Sequence, residues 1–388
     1  MISHLRAMLT VGGTSALLLG AAAWAPGPVL AAPRNAVAGA SSVPSPGQSS
    51  RLSAVAAVAP GNAWAVGSYC PSHCKAGTVP ERYMIMHWNG KAWSLTVNGS
   101  SGLLNGVSAA SASDVWAVGS SASSPLLFLH WNGKSWSRRT ATIAGAVGLR
   151  SVDTLSSSRA WAVGSAYSPK AGAYTTLIVR WNGSKWSRVA APSLAVRGGS
   201  ASLSTVSADS AKDAWAAGNF CVSGCRTGSP VYRGAILHWN GSKWSQSALP
   251  VRNSFQFFAV TALSSANAWA VGDTIAGHAA TTLMLHWNGT KWSKVSVPND
   301  NPSAMTFTSP ADGWAVGLAE PVLHWNGATW TSGSISTPNW GGFVNGASGD
   351  SPADVWVVGD YCTTTCTSGV PITRGFTLHW NGSKWSRV

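Results

Sequence analysis

Beyond residue 50 the chain alternates between short apolar runs of strand length and clusters of Gly, Asn, Ser and Pro. The runs recur. The string Trp-Ala-Val-Gly begins at Trp64, Trp116, Trp161, Trp215 (as Trp-Ala-Ala-Gly), Trp269, Trp314 and Trp356 (as Trp-Val-Val-Gly). A second string, His-Trp-Asn-Gly, places its Trp at Trp88, Trp131, Trp181, Trp239, Trp287, Trp325 and Trp380, with Arg180 replacing the His in the third copy. A third Trp follows each of these: Trp93, Trp136, Trp186, Trp244, Trp292, Trp330 and Trp385.

Each copy reads as four short strands. Strand A is the apolar stretch before the first Trp, such as Leu52 to Val58. A turn follows, Ala59-Pro60-Gly61-Asn62 in the first copy, and strand B carries Trp-Ala-Val-Gly. Strand C ends on the second Trp, Asn-Gly offers the φ > 0 residues of a tight hairpin, and strand D surrounds the third Trp. Four antiparallel strands repeated every several dozen residues predict an all-β fold, a single seven-bladed β-propeller. The blades fall at about 51–98, 102–142, 146–192, 202–249, 255–298, 302–335 and 341–388.

A blade has neighbours on both faces, so both faces must be apolar. That accounts for unbroken runs such as Leu126-Leu127-Phe128-Leu129. Strand A is expected innermost. Nine residues before each first Trp stand Val55, Val107, Val152, Val206, Val260, Met305 and Ala347. The Trp side chains suit the wider outer parts of the ring. The chain starts on a strand A and stops on a strand D, so no strand is expected to be shared between the termini.

The start of the chain has another pattern. His4 and Arg6 precede an apolar run from Leu9 to Ala23, and Val29-Leu30-Ala31 follows with small residues. This is the signal-peptide pattern, with cleavage expected after Ala31 or Ala32 and an uncleaved anchor helix as the alternative. Residues 1–31 are thus read as a signal peptide and 32–50 as a flexible Ser/Pro linker. The expectation is a secreted, extracellular monomer with no membrane span in the mature chain.

Composition sharpens the picture only in part. The 388 residues hold 26 Lys+Arg and 12 Asp+Glu, a formal charge of +14, with 10% charged residues, 42 Gly and 23 Trp. A disordered chain has few aromatics and many charges, so disorder is excluded. Coiled coils lack support because no heptads occur. Export makes nucleic acid an unfitting partner for the basic charge. Lys91, Lys134, Lys185, Lys243, Lys291 and Lys384 sit at the C–D turns, and Arg138, Arg139, Arg188, Lys294 and Arg387 follow on strand D. Such an edge resists edge-to-edge pairing, and it could also form a basic rim for anionic wall polymers.

Candidate chemistry is sparse. Six of nine His belong to the repeat: His87, His130, His238, His286, His324 and His379. A residue repeated in six blades reads as packing. Asp114, Asp213, Asp312 and Asp354, with Asn62 and Asn267, occupy the A–B turn, where turn capping is the plain reading. The other acids are scattered, and any two could form a glycosidase pair, but no pair is singled out. No nucleophile elbow, phosphate loop or zinc spacing occurs, so no catalytic residue, metal or cofactor is assigned.

The cysteines are more specific. Cys70 and Cys74, Cys221 and Cys225, and Cys362 and Cys366 stand in the B–C loops of blades 1, 4 and 7. In an exported chain these read as three local disulfides, with metal binding aided by His73 as the rival. An aromatic precedes each first Cys (Tyr69, Phe220, Tyr361), and an Arg follows each second Cys (Arg82, Arg233, Arg374). These six residues are the candidate ligand contacts; the competing reading has each Arg bonding carbonyls of its own loop. Asn98, Asn182, Asn240, Asn288 and Asn381 match glycosylation sequons, four of them at the tight turn.

On these motifs residues 51–388 resemble the Trp-Ala-Val-Gly/His-Trp-Asn-Gly repeats of secreted actinobacterial proteins. They are more distantly similar to the Asp-box and photosystem assembly-factor propellers. Asn-Gly stands where the Asp-box carries its Asp, and Kelch and WD-type repeats fit less well. The resemblance implies a propeller and no single activity. Two functions stay open: a binding or scaffold propeller engaging a glycan, cell-wall polymer or protein through its B–C loop face, and an extracellular polysaccharide-active hydrolase or lyase.

Overall fold

Short turns between consecutive apolar runs force antiparallel pairing of neighbours, and the molecule is built from that rule alone. The computed structural model describes residues 43–72, 81–194, 199–225, 230–252, 254–276, 279–298, 300–317, 321–335, 342–363 and 372–388. They form seven sheets of four strands, each made of four consecutive strands paired in chain order. The protein is a seven-bladed β-propeller. The first blade comprises strands Ser49–Ala59, Asn62–Cys70, Arg82–Trp88 and Trp93–Ser101. The innermost strands of the other blades are Leu103–Ser111, Ala146–Ser156, Ala201–Ala208, Phe255–Ser264, Pro302–Ser309 and Phe343–Ser351.

Two layers of contacts close the ring, and both recur from blade to blade. In the outer layer, each first Trp packs between the second and third Trp of the next blade. The first-to-second centroid distances are 4.8–5.1 Å. The first-to-third distances are 5.1–5.6 Å, with the rings edge-on. Edge-to-face geometry suits the ring quadrupoles. The seventh blade meets the first in the same way, through Trp356 with Trp88 and Trp93.

In the inner layer, a polar side chain on strand A accepts the backbone N–H of the next blade's strand A. Ser108 accepts from Thr154 at 3.0 Å, Asp153 from Ala208 at 2.7 Å and Ser207 from Ala262 at 3.0 Å. Thr306 accepts from Gly349 at 3.2 Å, and Ser348 accepts from Ala57 at 3.1 Å across the closing junction. An edge N–H of the innermost strand is thereby satisfied without a further strand.

Among the described residues no strand is exchanged between the first and last blades, and side chains join the two. Ser49 and Ser50, which the sequence places in the linker, open strand A of blade 1. Ser49 Oγ lies 2.9 Å from Thr373 Oγ1 of blade 7, and Val43 packs on the core of blade 1. This end of the linker is tied down because its serines meet unpaired backbone groups of the last blade, such as Thr373 N–H, which donates to Ser49 Oγ at 3.0 Å.

The C–D hairpin differs from the expected form. Only the Gly of Asn-Gly has positive φ, for example 88° at Gly90 and 90° at Gly133. The Asn side chain instead accepts two backbone N–H groups: Asn89 Oδ1 receives Lys91 and Ala92 at 3.0 Å each. The side chain replaces the backbone bonding that a two-residue turn would have supplied.

Candidate functional site

The candidate contacts sit on the last rungs before the B–C loops. Tyr69 pairs with Arg82, Phe220 with Arg233 and Tyr361 with Arg374 across strands B and C. Each aromatic is therefore in register with its Arg. Blades 1 and 7 are neighbours through the Trp356 contacts, and blade 4 stands opposite.

The six side chains are not equally free. Arg82 and Arg233 are exposed. Among the described residues, the partners of Arg374 lie outside its own loop. Its Nη1 donates to Ser45 Oγ and to the Gly47 carbonyl, both at 2.7 Å. Tyr69 is buried, and its hydroxyl donates to Asn98 Oδ1. Phe220 is half-buried against the core between blades 3 and 4. Tyr361 is half-buried under Arg387, whose Nη2 donates to the phenol oxygen at 3.0 Å and whose guanidinium lies 5.0 Å from the ring centroid.

Cys221 and Cys225 form a disulfide. Cys70 and Cys362 are also disulfide-bonded. Cys74, Cys366 and His73 lie outside the described residues, as do the loop tips 73–80, 226–229 and 364–371.

The A–B and C–D turns share the opposite end: a Cβ on Gly90 would approach Gly61 Cα to 3.3 Å, and one on Gly133 would come within 2.8 Å of Ser113 Cβ. The acids here do not cap the turn. They reach the repeat His of strand C. His130 Nε2 lies 2.7 Å from Asp114, His238 2.5 Å from Asp213, His324 2.7 Å from Asp312 and His379 2.5 Å from Asp354. Asn62 and Asn267 serve His87 and His286 at 2.9 and 3.0 Å. Each imidazole lies against the first Trp of its blade, at 4.1–4.4 Å. In blade 3 both partners change together: Arg159 stands in place of the acid, and Arg180 lies over Trp161 at 5.7 Å. The six His thus orient the Trp joints.

Blades 4 and 7 add a second acid beside this pair. Burial and the neighbouring Asp213 push Asp209 up to about 6, and Asp354 acts likewise with burial on Asp350, also to about 6. Two carboxyl groups this close cannot both ionise freely. Their duplication in two blades marks them as joint structure. Shallow grooves open between blades at this end. One of about 500 Å³ is lined by Asn267, Trp269, His286, Trp325 and Trp330.

A further ring was not singled out in the sequence. Strand A carries a bulge opposite the motif Gly in every blade. A Cβ on that Gly would stand 1.8–2.2 Å from a strand A carbonyl, so only Gly admits the bulge. The bulge leaves one residue unpaired: Ser53, Asn105, Arg150, Ser204, Phe258, Ser303 and Asn345. A bulge re-aims its side chain. Asn105 and Asn345 each donate to a strand A carbonyl of the next blade, Leu149 and Leu52, at 2.8 Å. The sequence did not mark it: the position holds Ser, Asn, Arg or Phe, and the residue after it varies among Ala, Gly, Ser and Thr.

No family model matches the chain, and no curated protein matches it. Solved structures do. YCF48 bound to a D1 peptide aligns with a TM-score of 0.53 at 15% identity, covering 83% of this chain and 93% of that one. The WD40 β-propeller domain of Doa1 aligns with 0.53 at 12% identity over 87% and 95%. Virginiamycin B lyase from Staphylococcus aureus aligns with 0.51 at 12% identity over 84% and 94%. At this identity the likeness is one of fold. Among the described residues no helix is long and apolar enough to cross a membrane, and no group of three or more His, Cys, Asp or Glu is placed to hold a metal ion.

Proposed function

We propose that this protein is an exported binding or scaffold propeller that engages a glycan, a cell-wall polymer or a protein through its B–C loop face. The observation that carries this reading is the register of aromatic and Arg at the base of disulfide-bonded loops in blades 1, 4 and 7. A braced loop loses less entropy on binding. An aromatic beside an Arg suits sugars and anionic groups. The exposure of Arg82 and Arg233 makes them the leading contacts, with Arg374 supporting the loop of blade 7 through the 43–50 segment. The signal-peptide pattern and the disulfides agree with an oxidising compartment. YCF48 with its D1 peptide illustrates that a propeller of this shape can hold a peptide.

Co-sedimentation with insoluble wall polymers, together with product analysis of soluble polysaccharides incubated with the protein, tests the reading. Retention of intact polymer supports it. Release of shortened chains replaces it with a hydrolase or lyase.

A further inference from the structure

The six imidazoles of the Trp joints do not all lie alike. In blades 4, 6 and 7 the ring stacks on the first Trp, with interplanar angles of 18°, 25° and 19°. In blades 1, 2 and 5 it is tilted, at 33°, 31° and 34°. One position at the end of strand A tracks the difference. It holds Asp209, Thr308 and Asp350 in the stacked joints, and Val58, Ala110 and Leu263 in the tilted ones. Blade 6 shows how a polar side chain acts there. Thr308 Oγ1 donates to Asp312 Oδ2, while Oδ1 of the same carboxylate holds His324 at 2.7 Å.

Asp350 stands where Thr308 does. Each is the bulged residue beside the last rung of its A–B hairpin, Ser351 with Asp354 and Ser309 with Asp312. Asp209 takes the same place in blade 4, where Ser210 Oγ accepts the N–H of Asp213 at 3.1 Å. Each acid meets the Asp of its joint side chain to side chain. A carboxylate, however, only accepts. Among the described residues Asp209 Oδ1 and Asp213 Oδ2 are buried with no hydrogen-bond partner, and so are Asp350 Oδ1 and Asp354 Oδ2. Oδ1 of Asp213 and of Asp354 takes the repeat His, at 2.5 Å in both blades, and Asp354 Oδ1 also accepts the indole N–H of Trp356 at 3.0 Å. A carboxyl proton on Asp209 or Asp350 supplies the missing donor, as the Thr308 hydroxyl does in blade 6.

Few charges surround these pairs. In blade 4 they are His238 on strand C, Lys212 in the turn against Gly241, and exposed Lys243. Blade 3 adds Asp153, which accepts the N–H of Ala208 at 2.7 Å. In blade 7 they are His379 and exposed Lys384, and blade 6 adds Asp312 beside Thr308. Blades 5 and 1 meet the joints through Trp287 with Trp292 and Trp88 with Trp93. Burial first, then the neighbouring Asp213 or Asp354, raises Asp209 and Asp350 to about 6; Ser210 and Ser351 offset this in part.

We propose that Asp209 and Asp350 are protonated latches, each donating its carboxyl proton to the Asp that orients the His and Trp of its joint. On ionisation the proton passes to water, the pair holds two negative charges, and the joint loosens. Trp215 packs on blade 5 and Trp356 on blade 1, so the two latched joints divide the ring into blades 1–4 and 5–7. The folded state holds these protons more tightly than the unfolded state. The latches therefore stabilise fully below about pH 4 and are lost as pH rises through about 6. They lie at the end opposite the B–C loops and stand or fall apart from the proposed function.

Hydrogen–deuterium exchange between pH 5 and 7.5, corrected for the intrinsic rate at each pH, tests the latches. D209N/D350N supplies a donor that does not ionise, and D209T/D350T copies blade 6. In wild type, protection of strands Ala214–Ser223 and Asp354–Cys362 should fall about tenfold as pH rises, a figure discounted for the partial exposure of both acids. Strands Asp114–Ser121 and Asp312–Gly317, whose joints pair Asp with His but lack the second acid, should keep their protection. Both double variants should abolish the fall. Asp153 and the His are common to all three proteins and cancel in the comparison. An equal fall in either folded variant overturns the latch, as does the absence of a fall in wild type or an equal fall in blades 2 and 6. Recovery of wild-type protection on adding calcium at pH 7.5 also overturns it, because a cation would then be the missing partner.

Discussion

Trp356 on strand B of the last blade lies edge-on to Trp93 on strand D of the first, with ring centroids 5.2 Å apart and planes at 84°. The ends of the chain therefore meet through the same joint that links every other pair of blades. W356A should lower unfolding stability in urea by about 3–5 kcal/mol, the cost of a buried Trp cavity. W161A, with equivalent contacts at 5.1 and 5.2 Å to Trp239 and Trp244, should cost a similar amount. A much smaller loss at Trp356 alone would show that the closing joint is loose.

Deletion of residues 341–388 removes the last blade and exposes the apolar faces of blades 1 and 6. The expected product is aggregated or lacks a cooperative melt. A soluble, cooperatively melting product would contradict a ring whose blades depend on both neighbours.

Asp153 gives the inner layer a pH dependence. Burial raises its carboxyl to about 6 from 3.8, offset in part by hydrogen bonds from Ala208, Ser108 and Thr154. The folded state thus holds the proton more tightly than the unfolded state. Its contribution is greatest below about pH 4 and is lost as pH rises to about 6, a change of about 3 kcal/mol. D153N should remove this dependence. The stability difference between D153N and wild type, measured in urea from pH 4 to 7, should shift in favour of the variant as pH rises and then level off. A constant difference would contradict the buried carboxyl.

All six cysteines should be paired within their own loops. Intact mass before and after alkylation should show no free thiol, and peptide mapping should link Cys70 to Cys74 and Cys362 to Cys366. The ring closed by Cys221 and Cys225, with a sequence separation of 4, should contribute about 2 kcal/mol by loop entropy. C221S/C225S therefore melts lower while keeping the fold.

The repeat made the architecture legible. Three Trp per copy announced both blade number and phase, and each now has an identified neighbour. The His and Asp of the joints were visible as repeats but not as partners, because Trp-Ala-Val-Gly and His-Trp-Asn-Gly lie on adjacent strands whose register only pairing reveals. The bulge was less visible still. The motif Gly reads as a turn or strand residue until strand A is placed against it. Arg374 could not be assigned from its loop, since its partners Ser45 and Gly47 are more than three hundred residues away in sequence.

Binding of wild type, R82A/R233A and K134A/K243A to an array of glycans, wall polymers and peptides measures the central claim most directly, with melting curves recorded for each. The two Arg stand beside the B–C loops and the two Lys on the C–D turns at the other end, all four exposed. The account predicts a ligand class bound by wild type and by K134A/K243A, and lost in R82A/R233A without change in its melt. Binding that survives in R82A/R233A and disappears in K134A/K243A would place the function on the opposite face and contradict it.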